Sequence, residues 1–368
     1  MLAVSPGSSV FGQVPHAQSL YSAEAAKAIE TIGTPTLWMV TLGVILGLIA
    51  LDLALTRRPH EVSMPEALRW SAFYVALPLA FGAYVWWQHG SDRGVEYLTG
   101  YLVEKSLSVD NLFVFMLLLA AFAVPRALQQ RVLMYGIVGA LVLRGVFIAL
   151  GAAALERFDW TFLVFSLILV VTAVKILKDA MAGPHHNVDV DSLRSVRLVR
   201  RFVPVTEEYD GPRMLGRVGG RRALTPLALA VVAVLAVDIV FAVDSVPAVY
   251  GITGDPYLVF VTNAFALLGL RALYFVLQGA LTKLVHLNYG LAVILAFIGV
   301  KLGLHWAHLQ WPSVPEIPTL LSLGVIVGVL AVTTLTSQIA VRRHSTQADS
   351  AEEAGEAGQA ADRRTPSG

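Results

Sequence analysis

Four carboxylates stand inside apolar stretches of this 368-residue chain: Glu104 and Asp110 in VEKSLSVDN, and Asp238 and Asp244 in AVDIVFAVDS. Six residues separate the two acids of each pair, and Asn111 and Ser245 follow the second acid at the same place. On a helix turning about 100° per residue, Glu104 shares a face with Ser108 and Asn111, and Asp238 shares one with Ser245. Asp110 and Asp244 then point about 120° away from their partners. Two carboxylates and an amide or hydroxyl oxygen from each segment form an oxygen-only donor set, which suits a hard divalent cation. Pro247 has no N–H to give to the carbonyl of Val243, so it frees a backbone oxygen beside Asp244, where the first copy has Phe113. Freed carbonyls of this kind coordinate ions in transporters with broken helices. The chain contains no cysteine, which excludes disulfides, cysteine zinc sites, cysteine-ligated iron–sulfur clusters and thiol catalysis. With no histidine in either motif, the donors favour Mn²⁺, Ca²⁺ or Mg²⁺ over Cu⁺ or Zn²⁺. No nucleophile elbow, phosphate loop or HExxH motif occurs, so an enzyme is not expected and no prosthetic group is implied.

Four bases accompany the four acids. Arg144 and Arg271 lie in GALVLRG and ALLGLRA, and Lys175 and Lys301 in AVKILK and GVKLGL. A charge near the middle of a membrane span costs about 2.5 to 3.5 kcal/mol on insertion scales, so each needs a partner or a function. For the bases, ion pairing that fixes helix register is the stronger reading, and both lysines sit late in their spans, where snorkelling to the interface is easy. For the acids, the surrounding hydroxyl and amide oxygens favour a ligand role. Asn263, beside Thr262, either lines the same cavity or bonds a neighbouring helix. Asp52 and Asp179, near the ends of their spans, are expected at the cytoplasmic interface. His185, His186, Asp189 and Asp191 read as a solvated loop rather than a metal site, and Gly43 and Gly47 as a small-residue packing motif.

Positioning such groups requires helices in a bilayer. The chain is 56% hydrophobic and 14% charged, with a mean hydropathy of +0.67, where soluble domains carry about 25% charged residues. A net charge of +1 gives no argument for a nucleic-acid partner. Apolar runs predict nine spans, near 36–55, 67–88, 102–122, 131–153, 161–180, 226–249, 257–279, 287–308 and 318–341. Each exceeds a barrel strand and lacks its alternation, so the fold class is all-α, a polytopic transmembrane helical bundle. Residues 1–35 lack the charged start and apolar core of a signal peptide and read as a polar extracytoplasmic tail. The transmembrane domain is 36–341, interrupted by a basic loop at 182–225 with room for one interfacial helix. Residues 342–368 read as a disordered cytoplasmic tail.

The polar positions recur in one order over two groups of three spans, at about 102–180 and 226–308. Three is odd, so the second copy enters the membrane from the opposite side, giving an inverted repeat of the kind found in secondary transporters. A pseudo-two-fold can place Asp110 beside Asp244 at the centre, with Glu104 and Asp238 toward opposite faces as alternating gates. Basic residues in the connections number 18 on one side and 3 on the other, which puts the N-terminus outside and the C-terminus inside.

At these residues the chain closely resembles the TerC/Alx family of integral membrane proteins. The matching segments are LALDLALTRR, GYLVEKSLSVDNLFVF, DIVFAVDSVPAVYGITGDPYLVFVTNAFALLGLRALYF and AVILAFIGVKLGL, over about residues 40–308. The resemblance implies a bacterial inner-membrane protein of a family associated with tellurite resistance and, in several relatives, manganese export. A pocket of four carboxylates repels an oxyanion such as tellurite, so direct tellurite transport is disfavoured. The expectation is a secondary exporter of Mn²⁺ working around Glu104, Asp110, Asn111, Asp238, Asp244 and Ser245, with protons as a candidate coupling ion. The rival is a membrane scaffold of a metal-stress complex, or a metal donor to exported proteins. Oligomeric state stays open.

Overall fold

The computed structural model describes residues 31–55, 63–182, 204–206, 209, 211–218, 221–277 and 286–362. Its helices are α1 (Pro35–Leu55), α2 (Met64–His89), α3 (Ser91–Ala121), α4 (Arg126–Arg157), α5 (Thr161–Ala182), α6 (Pro226–Tyr250), α7 (Pro256–Leu268), α8 (Leu270–Leu277), α9 (Leu287–Gln310) and α10 (Thr319–Asp362). With α7 and α8 counted as one interrupted span, these are the nine expected segments. Eight are long and apolar enough to cross a membrane. The exception by composition is α3, which is 31 residues long but carries Glu104, Lys105 and Asp110 within its span.

Local chemistry sets the helix starts. Thr225 caps α6 by accepting from the N–H of Ala228 (3.3 Å), and Asp255 caps α7 by accepting from the N–H of Tyr257 (2.9 Å). A proline follows each cap, at the position where its missing N–H costs no helical bond. Between α2 and α3 the chain reverses on Gly90 alone, at φ +90°, a conformation that only glycine adopts without strain.

The bundle is layered by burial. The span Pro256–Val276 is the most enclosed, with 78% of its apolar window buried, against 11% for Thr319–Ala340. Thus α7 forms the centre and α10 the rim. Helices α3, α4 and α6 surround α7, α5 packs on α9, and α1 leans on α7. Large apolar side chains such as Trp87, Val142, Leu150, Leu167 and Leu320 remain exposed around the outside, as helices facing hydrocarbon require. Helix α9 meets α5 at Gly299, where a Cβ would lie 2.9 Å from Val170 and 3.2 Å from the carbonyl of Ser166. The hydroxyl of Ser166 closes that contact by donating to the Gly299 carbonyl (2.7 Å).

Three features depart from the sequence reading. A two-stranded antiparallel hairpin, β1 (Leu215–Val218) and β2 (Arg221–Leu224), sits within the 182–225 loop. Gly219 and Gly220 separate its strands in sequence, a pair that two-residue hairpin turns favour. The interfacial helix considered for this loop, and His185, His186, Asp189 and Asp191, lie outside the described residues, as does most of the N-terminal tail. Second, α10 is helical through Asp362 rather than ending near 341; the Ala, Glu and Gln content of that segment favours helix. Third, α6 runs unbroken through Pro247. The interrupted helix is instead the next span, at Gly269, whose N–H turns back to the carbonyl of Leu267.

Candidate functional site

Helices α3, α6 and α7 deliver polar groups to a point inside the bundle, two of them from α3, and Arg144 of α4 is its hub. Its side chain is fully buried, as are Glu104 and Asp238. Nη1 donates to Oε1 of Glu104 and to Oδ1 of Asn263 at 2.9 Å. Nη2 donates to Oδ1 of Asp238 at 3.3 Å. With its amide oriented so that the nitrogen donates to the carbonyl of Leu107 (3.1 Å), Asn111 presents its oxygen to Nη2 at 3.2 Å. One guanidinium thus joins two carboxylates and two amides from three neighbouring helices. The fork of five donors makes arginine suited to such bridging.

The oxygens left over are as informative as those engaged. Among the described residues no protein group bonds Oε2 of Glu104, Oδ2 of Asp238, or the hydroxyls of Ser108 and Ser245. Ser108 is buried on the same face of α3 as Glu104 and Asn111, and Ser245 is buried on α6 with Asp238, as the helical spacing predicts. Asp110 and Asp244 are only half-buried.

This arrangement differs from a cage of carboxylates closed around an ion. Among the described residues no three His, Asp or Glu side chains converge as a ready-made metal site. Instead of serving separate faces as gates, Glu104 and Asp238 bind the same guanidinium. The physical reason is charge: two buried carboxylates repel, and Arg144 lies on α4, which packs against both α6 and α7, and extends its guanidinium to Glu104 on α3.

Arg271, the counterpart of Arg144 in the second group, does not reach this cluster. It donates from Nη2 to Oδ1 of Asp52 at 2.8 Å and from Nε to Oδ2 at 3.4 Å. Asp52 is 4% exposed, so it is a buried ion-pair partner near the end of α1 rather than a solvated acid. Asp179 is exposed at the end of α5, consistent with the interface. Lys175 is exposed as well. Lys301 is half-buried in a separate cavity of about 430 Å³ with His305 and Glu316. Gly43 and Gly47 face open space.

One interior charge escapes the sequence reading. Lys105 is half-buried and directs Nζ toward the carbonyl of Ala266 (3.4 Å), beside the interruption at Gly269. Its place next to Glu104 inside an apolar span was the available signal. A cation suits that position because the last carbonyls of α7 form the negative end of a helix dipole.

A sequence model described as the integral membrane protein TerC family matches residues 89–345. An uncharacterised membrane protein of Myxococcus xanthus is 40% identical over 88% of this chain and 98% of its own length. The putative membrane-bound redox modulator Alx of Escherichia coli strain K12 is 40% identical over 87% of this chain and 99% of its own. An uncharacterised membrane protein of Mycobacterium tuberculosis is 41% identical over 84% and 81%. No solved structure matches the chain.

Proposed function

The chain belongs to the TerC family of integral membrane proteins, and we propose that it is a secondary transporter exporting a divalent metal cation, with Mn²⁺ the favoured ion. The observation that carries this reading is the buried oxygen cluster. Glu104, Ser108, Asn111, Asp238, Ser245 and Asn263 are all at most 4% exposed, and four of their oxygens have no hydrogen-bond partner among the described residues. Intramembrane acids held this way mark ion pathways more often than scaffolding. Oxygen donors without sulfur select a hard cation, and the family resemblance selects manganese among them. The name redox modulator belongs to a relative. Any redox effect of this chain operates without a thiol of its own, because it has no cysteine.

Alternating access would use the two groups of three spans as inverted repeats. Helix packing supports that reading: α4 packs on α6 as α7 packs on α3, α5 packs on α6 as α9 packs on α3, and α5 packs on α9. Those are the exchanges that a pseudo-two-fold relation demands. The proposed setting is the bacterial plasma membrane, N-terminus out and C-terminus in, on the 18 to 3 bias of basic residues. Because the chain is free of cysteine, single cysteines report topology without background. A cysteine at 217 in the hairpin is expected to stay unlabelled by an impermeant reagent in intact cells; labelling there reverses the orientation.

Proteoliposomes containing the purified protein test transport directly. Mn²⁺ is expected to equilibrate across them faster than across empty vesicles, with Ca²⁺ and Mg²⁺ slower and Zn²⁺ without selective advantage. Equal leakage in protein-containing and empty vesicles rejects the transporter and leaves the scaffold reading.

A further inference from the structure

Resting on that transport reading, we propose that Arg144 is a tethered cation that occupies the metal's own seat between Glu104 and Asp238, and that metal binding expels it. The guanidinium is bonded by the same groups that would ligate a hard ion: Glu104, Asp238, Asn263 and Asn111. Each carboxylate spends one oxygen on Arg144 and keeps the other, Oε2 or Oδ2, without a protein partner. Ser108 and Ser245 hold two more unbonded oxygens on the same two helices, at 0% and 1% exposure. The donor set of an ion site is therefore assembled but already filled by a side chain.

Charge makes the two occupants mutually exclusive. Two carboxylates and one guanidinium leave a net charge of −1, whereas a divalent cation neutralises both carboxylates. A guanidinium and a divalent ion within about 4 Å of each other would repel by several kcal/mol even at the effective dielectric of a protein surface, and more in hydrocarbon. Arg144 cannot leave its partners for nothing, because an unpaired charge in this interior is costly. Asp244 is the acid placed to receive it: that carboxylate is half-buried and stands six residues beyond Asp238 on α6. The cluster then has two states, one closed by arginine and one by metal. Exchange between them ties ion entry to a movement of α4 against α3 and α6. Without the tether, the same acids would bind metal tightly but would have nothing to displace it for release.

The test measures Mn²⁺ binding to the purified full chain by calorimetry and thermal unfolding, in wild type, Arg144→Gln, Arg144→Lys and the double variant Glu104→Gln/Asp238→Asn. Arg144→Gln is expected to be strongly destabilised in EDTA, to regain stability on adding Mn²⁺, and to bind Mn²⁺ about tenfold or more tighter than wild type, since the competing charge is gone. Arg144→Lys, whose ammonium has three donors in place of a planar fork of five and cannot serve all four partners, is expected to fall between them. If Arg144→Gln cannot be purified even with Mn²⁺ present, Arg144→Lys decides, and an affinity unchanged from wild type overturns the proposal. Instability of Arg144→Gln that Mn²⁺ does not relieve overturns it too, because arginine is then a purely structural partner. A different result separates the parent reading: if neither wild type nor any variant binds Mn²⁺, and the double variant is indistinguishable from wild type, the metal transporter itself is wrong.

Discussion

Glu104→Gln and Asp238→Asn are each expected to abolish Mn²⁺ flux in proteoliposomes while leaving a folded, membrane-extracted protein. Both substitutions keep side-chain shape and remove one negative charge from a site with few others. The ligand charge count sets the affinity of hard-cation sites over several orders of magnitude, so a loss of about a hundredfold in Mn²⁺ affinity is expected from either change. Folding survives because Arg144 retains the opposite carboxylate together with Asn111 and Asn263, so no buried charge is stranded. Asp110→Asn and Asp244→Asn act differently. Their carboxylates are half-buried, whereas Glu104 and Asp238 are fully buried on the guanidinium, so flux is expected to fall while equilibrium affinity changes less, by about tenfold at most on the same scale of ligand charge. Normal flux in Glu104→Gln would remove that residue from the site, whatever its contact with arginine.

What could be read from the chain divides along the range of the interactions. Helical periodicity puts Glu104, Ser108 and Asn111 on one face and Asp238 with Ser245 on another, and all five are buried together as that spacing requires. Charge inside apolar runs is so unfavourable that each interior acid announces itself. Pairing is different. Arg144 and Arg271 occupy equivalent places in the two groups of spans, yet one bonds Glu104 and Asp238 and the other bonds Asp52. Nothing local distinguishes them. The difference arises because α1, which lies outside both groups, brings Asp52 to the second arginine and, among the described residues, has no equivalent beside the first. Asp52 looked interfacial for a local reason, its position just before Arg57 and Arg58. The Gly219–Gly220 pair is a hairpin signal, masked by the basic and irregular sequence around it. The interruption at Gly269 was not legible, since Pro247 is the stronger breaker by type. Pro247 follows the polar part of α6 and sits within a helix whose last turn is otherwise fully buried, so neighbouring helices hold it straight.

Arg271→Ala is expected to lower stability by about 3 to 5 kcal/mol, the cost of leaving a buried charge without its partner. Asp52 and Arg271 are 4% and 5% exposed, and two guanidinium nitrogens face the two carboxylate oxygens at 2.8 and 3.4 Å. Arg271→Lys recovers part of the loss, because an ammonium meets the carboxylate as a point charge and cannot match both oxygens. The decisive comparison is Asp52→Ala/Arg271→Ala, which removes both charges. In thermal unfolding of the purified protein, the double variant is expected to be more stable than either single variant, with a coupling energy of about 2 to 3 kcal/mol. Strict additivity would mean that the pair contributes nothing and that each residue is held by other contacts. The pair also has a mechanical meaning. Arg271 lies in the first turn of α8, just past the interruption at Gly269, so the bond to Asp52 fastens this half-helix to α1, while α7 stays with α3 and Asn263 stays with Arg144. If the two halves of the span move separately during transport, a folded Arg271→Lys variant should slow Mn²⁺ flux without changing Mn²⁺ affinity, because the fastening lies away from the oxygens that hold the ion.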